Sequence, residues 1–165
     1  MSKSLDDLKA AFAGESQANR RYLAFAKKAD DEGFQQVAKL FRAAAAAETV
    51  HALRHLRSMD GVQSTAENLQ AAINGEHYEV TTMYPDFLKD AQAEQDKRAT
   101  SSFKDAWEVE KVHEALYRKA LENLNSGMPA VDYYICPVCG FTHEGPMTEK
   151  CPVCSTPAAR FEKID

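Results

Sequence analysis

The sequence predicts a mainly α protein, a four-helix bundle followed by a small four-cysteine metal module. Three features lead there. Residues 4–125 hold only four Gly (Gly14, Gly33, Gly61, Gly75) and one Pro (Pro85) among abundant Ala, Glu, Lys, Leu and Gln, which is helix composition. Apolar residues in that stretch recur three and four apart, the spacing of one helical face. All four cysteines fall between residues 136 and 154, in two Cys-x-x-Cys pairs, and clustered pairs suit one tetrathiolate metal site.

The first stripe runs Leu5, Leu8, Phe12, Glu15, Asn19, Tyr22, Ala26, Ala29, and Gly33 ends it. The second runs Phe34, Val37, Phe41, Ala44, Glu48, His51, His55, and Asp60-Gly61 stops it. The third, Leu69, Ile73, Glu76, Val80, Met83, Phe87, begins after a cap at Ser64 or Thr65. It contains Pro85, so a kink is expected there. The fourth is Phe103, Ala106, Glu110, His113, Tyr117, Ala120, Leu124. Four amphipathic helices of this length make a four-helix bundle. Asn125-Ser126-Gly127-Met128-Pro129 reads as a helix stop and linker. The expected domains are residues 1–126, the bundle, and 127–165, the four-cysteine module.

Composition narrows the function. At 165 residues, 44% apolar and 27% charged, the chain has the make-up of a globular protein with a real core. A net charge of −5 argues against nucleic acid as partner. No apolar run approaches a membrane span. Residues 1–7, Met1-Ser2-Lys3-Ser4-Leu5-Asp6-Asp7, lack the apolar stretch of a signal peptide, so a cytoplasmic location is expected.

The stripes are apolar except where they carry Glu15, Asn19, Glu48, His51, His55, Glu76, Glu110 and His113. A buried, unpaired carboxylate costs several kcal/mol, yet each helix carries one. Glu15 and Glu48 are symmetric about the turn beside Gly33, and Glu76 and Glu110 about the polar stretch 90–97, so all four carboxylates can reach one level. A weak internal repeat agrees. An offset of 62 aligns Tyr22 with Tyr84, Phe25 with Phe87, Phe41 with Phe103, Glu48 with Glu110 and His51 with His113, whereas Glu15 and Glu76 differ by 61. Glu48-x-x-His51 and Glu110-x-x-His113 each place a carboxylate and an imidazole one turn apart. With one Glu from each remaining helix they form the dinuclear pattern of ferritin-like carboxylate proteins, and oxygen ligands plus imidazole suit iron or manganese. Glu79, one turn after Glu76, is either a fifth carboxylate on one side of the site or a solvated neighbour of the stripe. As a ligand, anionic Glu79 suits an oxidised metal pair and neutral His51 a reduced one, which makes their exchange redox-linked.

In the module, Cys136-Pro-Val-Cys139-Gly140 and Cys151-Pro-Val-Cys154 lie eleven residues apart. Zinc and iron share tetrahedral four-sulfur geometry, so spacing leaves the metal open. Ser155 stands where a second knuckle Gly is common, which bears on sulfur hydrogen bonding. His55, His77 and His143 are read as non-ligands.

Together, Glu15-Ser-Gln-Ala-Asn19, Glu48-x-x-His51, Gly75-Glu-His-Tyr-Glu79 with Met83-Tyr-Pro85, Glu110-x-x-His113 and the cysteine pairs closely resemble the rubrerythrin family. The resemblance spans essentially the whole chain. It implies a ferritin-like di-iron bundle fused to a rubredoxin-like domain, with two iron ions in a carboxylate-bridged site and one in the tetrathiolate site. The implied di-iron ligands are Glu15, Glu48, Glu76, Glu79, Glu110 and His113, with His51 exchanging for Glu79. Tyr22 and Tyr84 match tyrosines that hydrogen-bond near the site; packing alone gives both an ordinary core role. Cys136, Cys139, Cys151 and Cys154 are the implied ligands of the third iron.

The activity this implies is reduction of hydrogen peroxide to water in oxidative-stress defence, with electrons from a reductase or rubredoxin entering through the tetrathiolate iron. The alternatives are a ferroxidase for iron handling and a non-enzymatic electron carrier. A homodimer is expected, since the linker-borne module need not serve its own bundle.

Overall fold

The computed structural model describes residues 2–165; Met1, part of the stretch read for a leader, lies outside the described residues. The protein is mostly helical, with a small three-stranded module at its C-terminal end. Two compact units divide it, one through Gln63 and the other from Ser64 to Asp165. No helix among the described residues is long and apolar enough to cross a membrane.

The first unit is an antiparallel hairpin of α1 (Lys3–Asp31) and α2 (Gln35–Ser58). Ser2 caps α1 by accepting from the Leu5 N–H. Small side chains fill the helix contact. Ala26, Ala29, Ala38, Ala45 and Ala52 are buried; of the alanine run 43–47 only Ala45 is buried, while Ala43, Ala46 and Ala47 are exposed. Buried Asn19 clamps the pair, its Nδ2 donating to the Ala45 carbonyl at 2.7 Å and to Thr49 Oγ1 at 2.9 Å. Phe34 and Val37, although on the apolar stripe, are 59% and 45% exposed because they sit at the turn end of α2.

The second unit begins with α3 (Thr65–Tyr78), a π-helical segment (Glu79–Met83), α4 (Tyr84–Ala93) and α5 (Lys97–Glu122). Of the two expected caps, Ser64 is the one used. It forms a reciprocal capping box with Glu67. Asp96 caps α5 by accepting from the Arg98 and Ala99 N–H groups.

The kink expected at Pro85 takes the form of the π segment just before it. Pro85 has no N–H to give the preceding turn, and the Tyr84 N–H bonds the Glu79 carbonyl, five residues back. A π bulge inserts one residue into a helix, and this explains the internal repeat. The offset is 61 at Glu15 and Glu76 and 62 from Tyr22 and Tyr84 onward, so the slip falls on the extra residue. The Trp107 indole donates to the Val80 carbonyl inside the segment at 2.8 Å.

The repeat extends to side chains and turns. Tyr22, Phe25 and Phe41 have ring centroids 6.3, 6.2 and 5.5 Å apart, and Tyr84, Phe87 and Phe103 have them 6.3, 6.4 and 5.4 Å apart. Phe34 N donates to the Ala29 carbonyl, as Asp96 N does to Ala91, each closing a turn through one left-handed residue, Gly33 (φ 84°) or Gln95 (φ 58°).

After α5 come β1 (Tyr133–Ile135), β2 (Thr142–Glu144) and β3 (Glu162–Ile164), antiparallel in the order β2-β1-β3. The register pairs Ile135 with Thr142 and with Glu162. Ion pairing of Lys119 with Glu144 fastens β2 to α5.

Candidate metal centres

The module brings four thiols together. Their sulfurs lie within 4.8 Å of one another, with Cys136–Cys154 at 3.5 Å and Cys139–Cys151 at 3.6 Å. A tetrahedron with metal–sulfur bonds of about 2.3 Å has edges of about 3.8 Å, so the set fits a tetrathiolate metal and is too open for disulfides. Each pair sits on a tight turn. Gly140 N donates to the Cys136 carbonyl and Ser155 N to the Cys151 carbonyl, both at 2.9 Å. Gly140 has φ 86°, and Ser155 takes the same left-handed region at φ 62°, so Ser replaces Gly without changing the turn. Thr156, buried, sets its hydroxyl 3.0 Å from Cys154 Sγ. Burial pushes the Cys136 thiol up, but N–H groups of Cys139 and Val138 and the Thr156 hydroxyl outweigh it and bring the thiol down to about 6. Burial raises Cys139 and Cys151. A site that favours one thiolate among crowded sulfurs is poised for a cation.

In the first unit Glu15, Glu48 and His51 form a cluster whose ligand atoms lie within 4.8 Å of one another. His51 Nδ1 lies 3.0 Å from Glu48 Oε2, and the His51 side chain is 54% exposed. Tyr22 packs against Phe25 and Phe41.

In the second unit Glu76, Glu110 and His113 form the matching cluster. His113 Nδ1 lies 2.7 Å from Glu110 Oε2, and the ring is 26% exposed. Its Nε2 lies 3.0 Å from Thr142 Oγ1 on β2. The hydrogen bond to Glu110 outweighs burial and raises the His113 pKa. Burial, then the charge of Glu110, lifts Glu76 to about 7. Glu79 opens the π segment, half-buried, and is raised by burial and by Glu110. Tyr84 is raised by burial and then by the charges of Glu79, Glu110 and Glu76. Carboxylates that destabilise one another in this way fit divalent cations, whose charge would reverse each shift.

Three histidines stand apart. His77, exposed on α3, sets its Nδ1 3.1 Å from Glu114 Oε1 on α5, and His143 Nδ1 donates to the Gly145 carbonyl. His55 is half-buried on α2.

Thr142, Thr156, Trp107 and Tyr117 were not singled out for these roles by their spacing. Tyr117, read only as stripe packing, is raised by burial and by Glu76 and Glu110. Its place one turn beyond His113 is the one local signal among the four.

A family model described as Rubrerythrin matches residues 6–121, and one described as Rubrerythrin, rubredoxin-like domain matches residues 134–162. The chain belongs to the rubrerythrin family. Rubrerythrin-2 of Clostridium acetobutylicum is 34% identical over 95% of this chain and 94% of its own. Nigerythrin of Nitratidesulfovibrio vulgaris is 37% identical over 96% of this chain and 85% of its own. A fully reduced, all-ferrous nigerythrin structure matches with a TM-score of 0.60 at 35% identity, covering 99% of this chain and 88% of that one. Membership in the rubrerythrin family implies iron and oxidoreductase-type chemistry, with a rubredoxin-like domain for electron transfer from a partner.

Proposed function

We propose that the protein is a non-haem di-iron peroxidase that reduces hydrogen peroxide to water, with residues 1–126 as its di-iron domain and 127–165 as its rubredoxin-like domain. The observation that carries this is the presence in one chain of carboxylate–histidine clusters and a four-sulfur cluster. Iron storage needs no re-reduction, whereas a peroxidase must be recharged after each turnover.

Glu15, Glu48, Glu76, Glu79, Glu110 and His113, with His51 as alternate, hold two irons, and the four cysteines hold a third. When bound, the iron pair would supply two-electron redox chemistry at the carboxylate–histidine site, and the tetrathiolate iron would supply one-electron transfer for its re-reduction. The chain's own groups prepare the site. The carboxylates balance the metal charge. Tyr84, as a phenol, keeps its Oη proton at neutral pH and can serve as a donor. His113, engaged at both ring nitrogens, is the fixed imidazole. His51, bonded at one nitrogen and half exposed, is the ring free to exchange with Glu79. The π segment gives Glu79 a wider backbone turn from which to move.

A cytoplasmic enzyme of oxidative-stress defence, fed by a reductase or rubredoxin and working as a homodimer, completes the reading. Sedimentation tests the dimer; a fully active monomer contradicts it. Steady-state turnover with an external donor tests the activity. Peroxide should disappear at one molecule per two electrons with no oxygen evolved. Reductant consumption that is independent of peroxide overturns it.

A further inference from the structure

His113 and the four-cysteine module meet through one hydroxyl. His113 Nδ1 faces Glu110 Oε2 at 2.7 Å, and Nε2 faces Thr142 Oγ1 at 3.0 Å. Thr142 Oγ1 itself donates to the Gly140 carbonyl at 3.2 Å. A hydroxyl has one proton. With that proton on the Gly140 carbonyl, Oγ1 can only accept from the ring, so Nε2 carries a hydrogen; Nδ1, which donates to the Glu110 carboxylate in the metal-free site, is the nitrogen left to give its lone pair to a metal once it loses that proton.

The hydroxyl is firmly placed. Gly140 follows Cys139 and donates to the Cys136 carbonyl. Thr142 pairs with Ile135, next to Cys136, in the sheet. The backbone at Gly140 approaches Val109 of α5, and Glu144, two residues past Thr142, pairs with Lys119 on the same helix. His51, the repeat partner of His113, has Glu48 alone as its hydrogen-bonding partner among the described contacts.

We propose that Thr142 is a positioning residue for His113, locking the Nδ1-ligating tautomer and orientation and making the knuckle of the four-cysteine module part of the carboxylate–histidine site. This rests on the reading of His113 as a ligand. A second partner on a ligating imidazole fixes its tautomer and strengthens its metal binding. The path Cys139–Gly140–Thr142–His113 is then covalent and hydrogen-bonded from one metal site to the other within a single chain.

The test uses the full chain. In wild-type protein loaded with Zn(II) at both sites, ¹⁵N-histidine spectra should show His113 protonated at Nε2 and slow to exchange; protonation at Nδ1 overturns the proposal without any variant. Anaerobic Fe(II) titration of protein carrying its tetrathiolate iron should show Thr142→Val weaker at the carboxylate site by about 10–100-fold, with Thr142→Ser restored and the thiolate band unchanged in both. Val binding like wild type, or Ser falling as far as Val, overturns it, the latter because methyl packing would then be what matters. If the wild type takes up no Fe(II) there while its tetrathiolate iron is present, the ligand reading fails first and this proposal falls with it.

Discussion

Glu76→Gln isolates the electrostatic cost built into the second cluster. Burial and the neighbouring Glu110 carboxylate lift the Glu76 pKa from 4.5 to about 7. For a carboxyl raised in the folded state, the stabilising contribution is full below pH 4.5 and is lost as the pH rises toward about 7. Glu76 is half-buried and solvent screens the repulsion, so the expected effect is about 1–2 kcal/mol. Gln keeps the shape and removes the charge. With the carboxylate site stripped of metal and the tetrathiolate site loaded, urea unfolding should find Glu76→Gln equal to wild type near pH 4.5 and more stable by that amount at pH 8. With Fe(II) added the order should reverse at pH 8, because the wild type gains a ligand that the variant lacks. A stability difference that does not change with pH would refute the crowded-carboxylate picture.

Other outcomes follow from the same geometry. Cys139→Ser should abolish the visible ferric-thiolate band and slow steady turnover with an external donor, while a chemically reduced carboxylate site still completes a single turnover; equal loss of both reactions in a folded variant contradicts separate roles. Glu79→Ala should leave Fe(II) binding largely intact and raise the reduction potential of the pair, since the oxidised state loses an anionic ligand; a shift of about 30 mV per electron is about 0.7 kcal/mol, and an unchanged potentiometric titration places Glu79 off the metals. Gly61→Ala should cost about 1–3 kcal/mol in thermal or urea unfolding, because a Cβ there meets Leu56 Cδ1 at 2.5 Å and the Leu56 carbonyl at 3.0 Å; a neutral result means α2 ends more loosely than described.

Periodicity and charge made the helices and both Glu-x-x-His pairs legible, because a carboxylate on an apolar stripe is too costly to be incidental. Ser64, Gly33 and Asp60-Gly61 announced the helix ends through local chemistry, and all of them behave as read. The one-residue slip between Glu76 and Tyr84 was visible as a number; only the backbone shows it to be a π segment. Thr142 lies 29 residues from His113, and Trp107 lies 27 from Val80. Neither bond leaves a trace in local spacing, since each depends on how the strand module or the neighbouring helix docks. At Ser155, a missing Gly suggested altered sulfur bonding. The turn is kept, and the buried Thr156 hydroxyl reaches Cys154.

The proposed peroxidase activity makes peroxide, delivered to reduced carboxylate-held iron, the oxidant that the protein consumes. The decisive experiment is rapid mixing of the fully reduced, iron-loaded protein with excess hydrogen peroxide or with dissolved oxygen, followed at the ferric absorption bands. Reoxidation by peroxide should be much faster than by oxygen, with water as the product and the thiolate iron oxidised after the carboxylate pair. Oxygen reacting as fast or faster, or a carboxylate site left reduced by peroxide, would contradict the proposed activity.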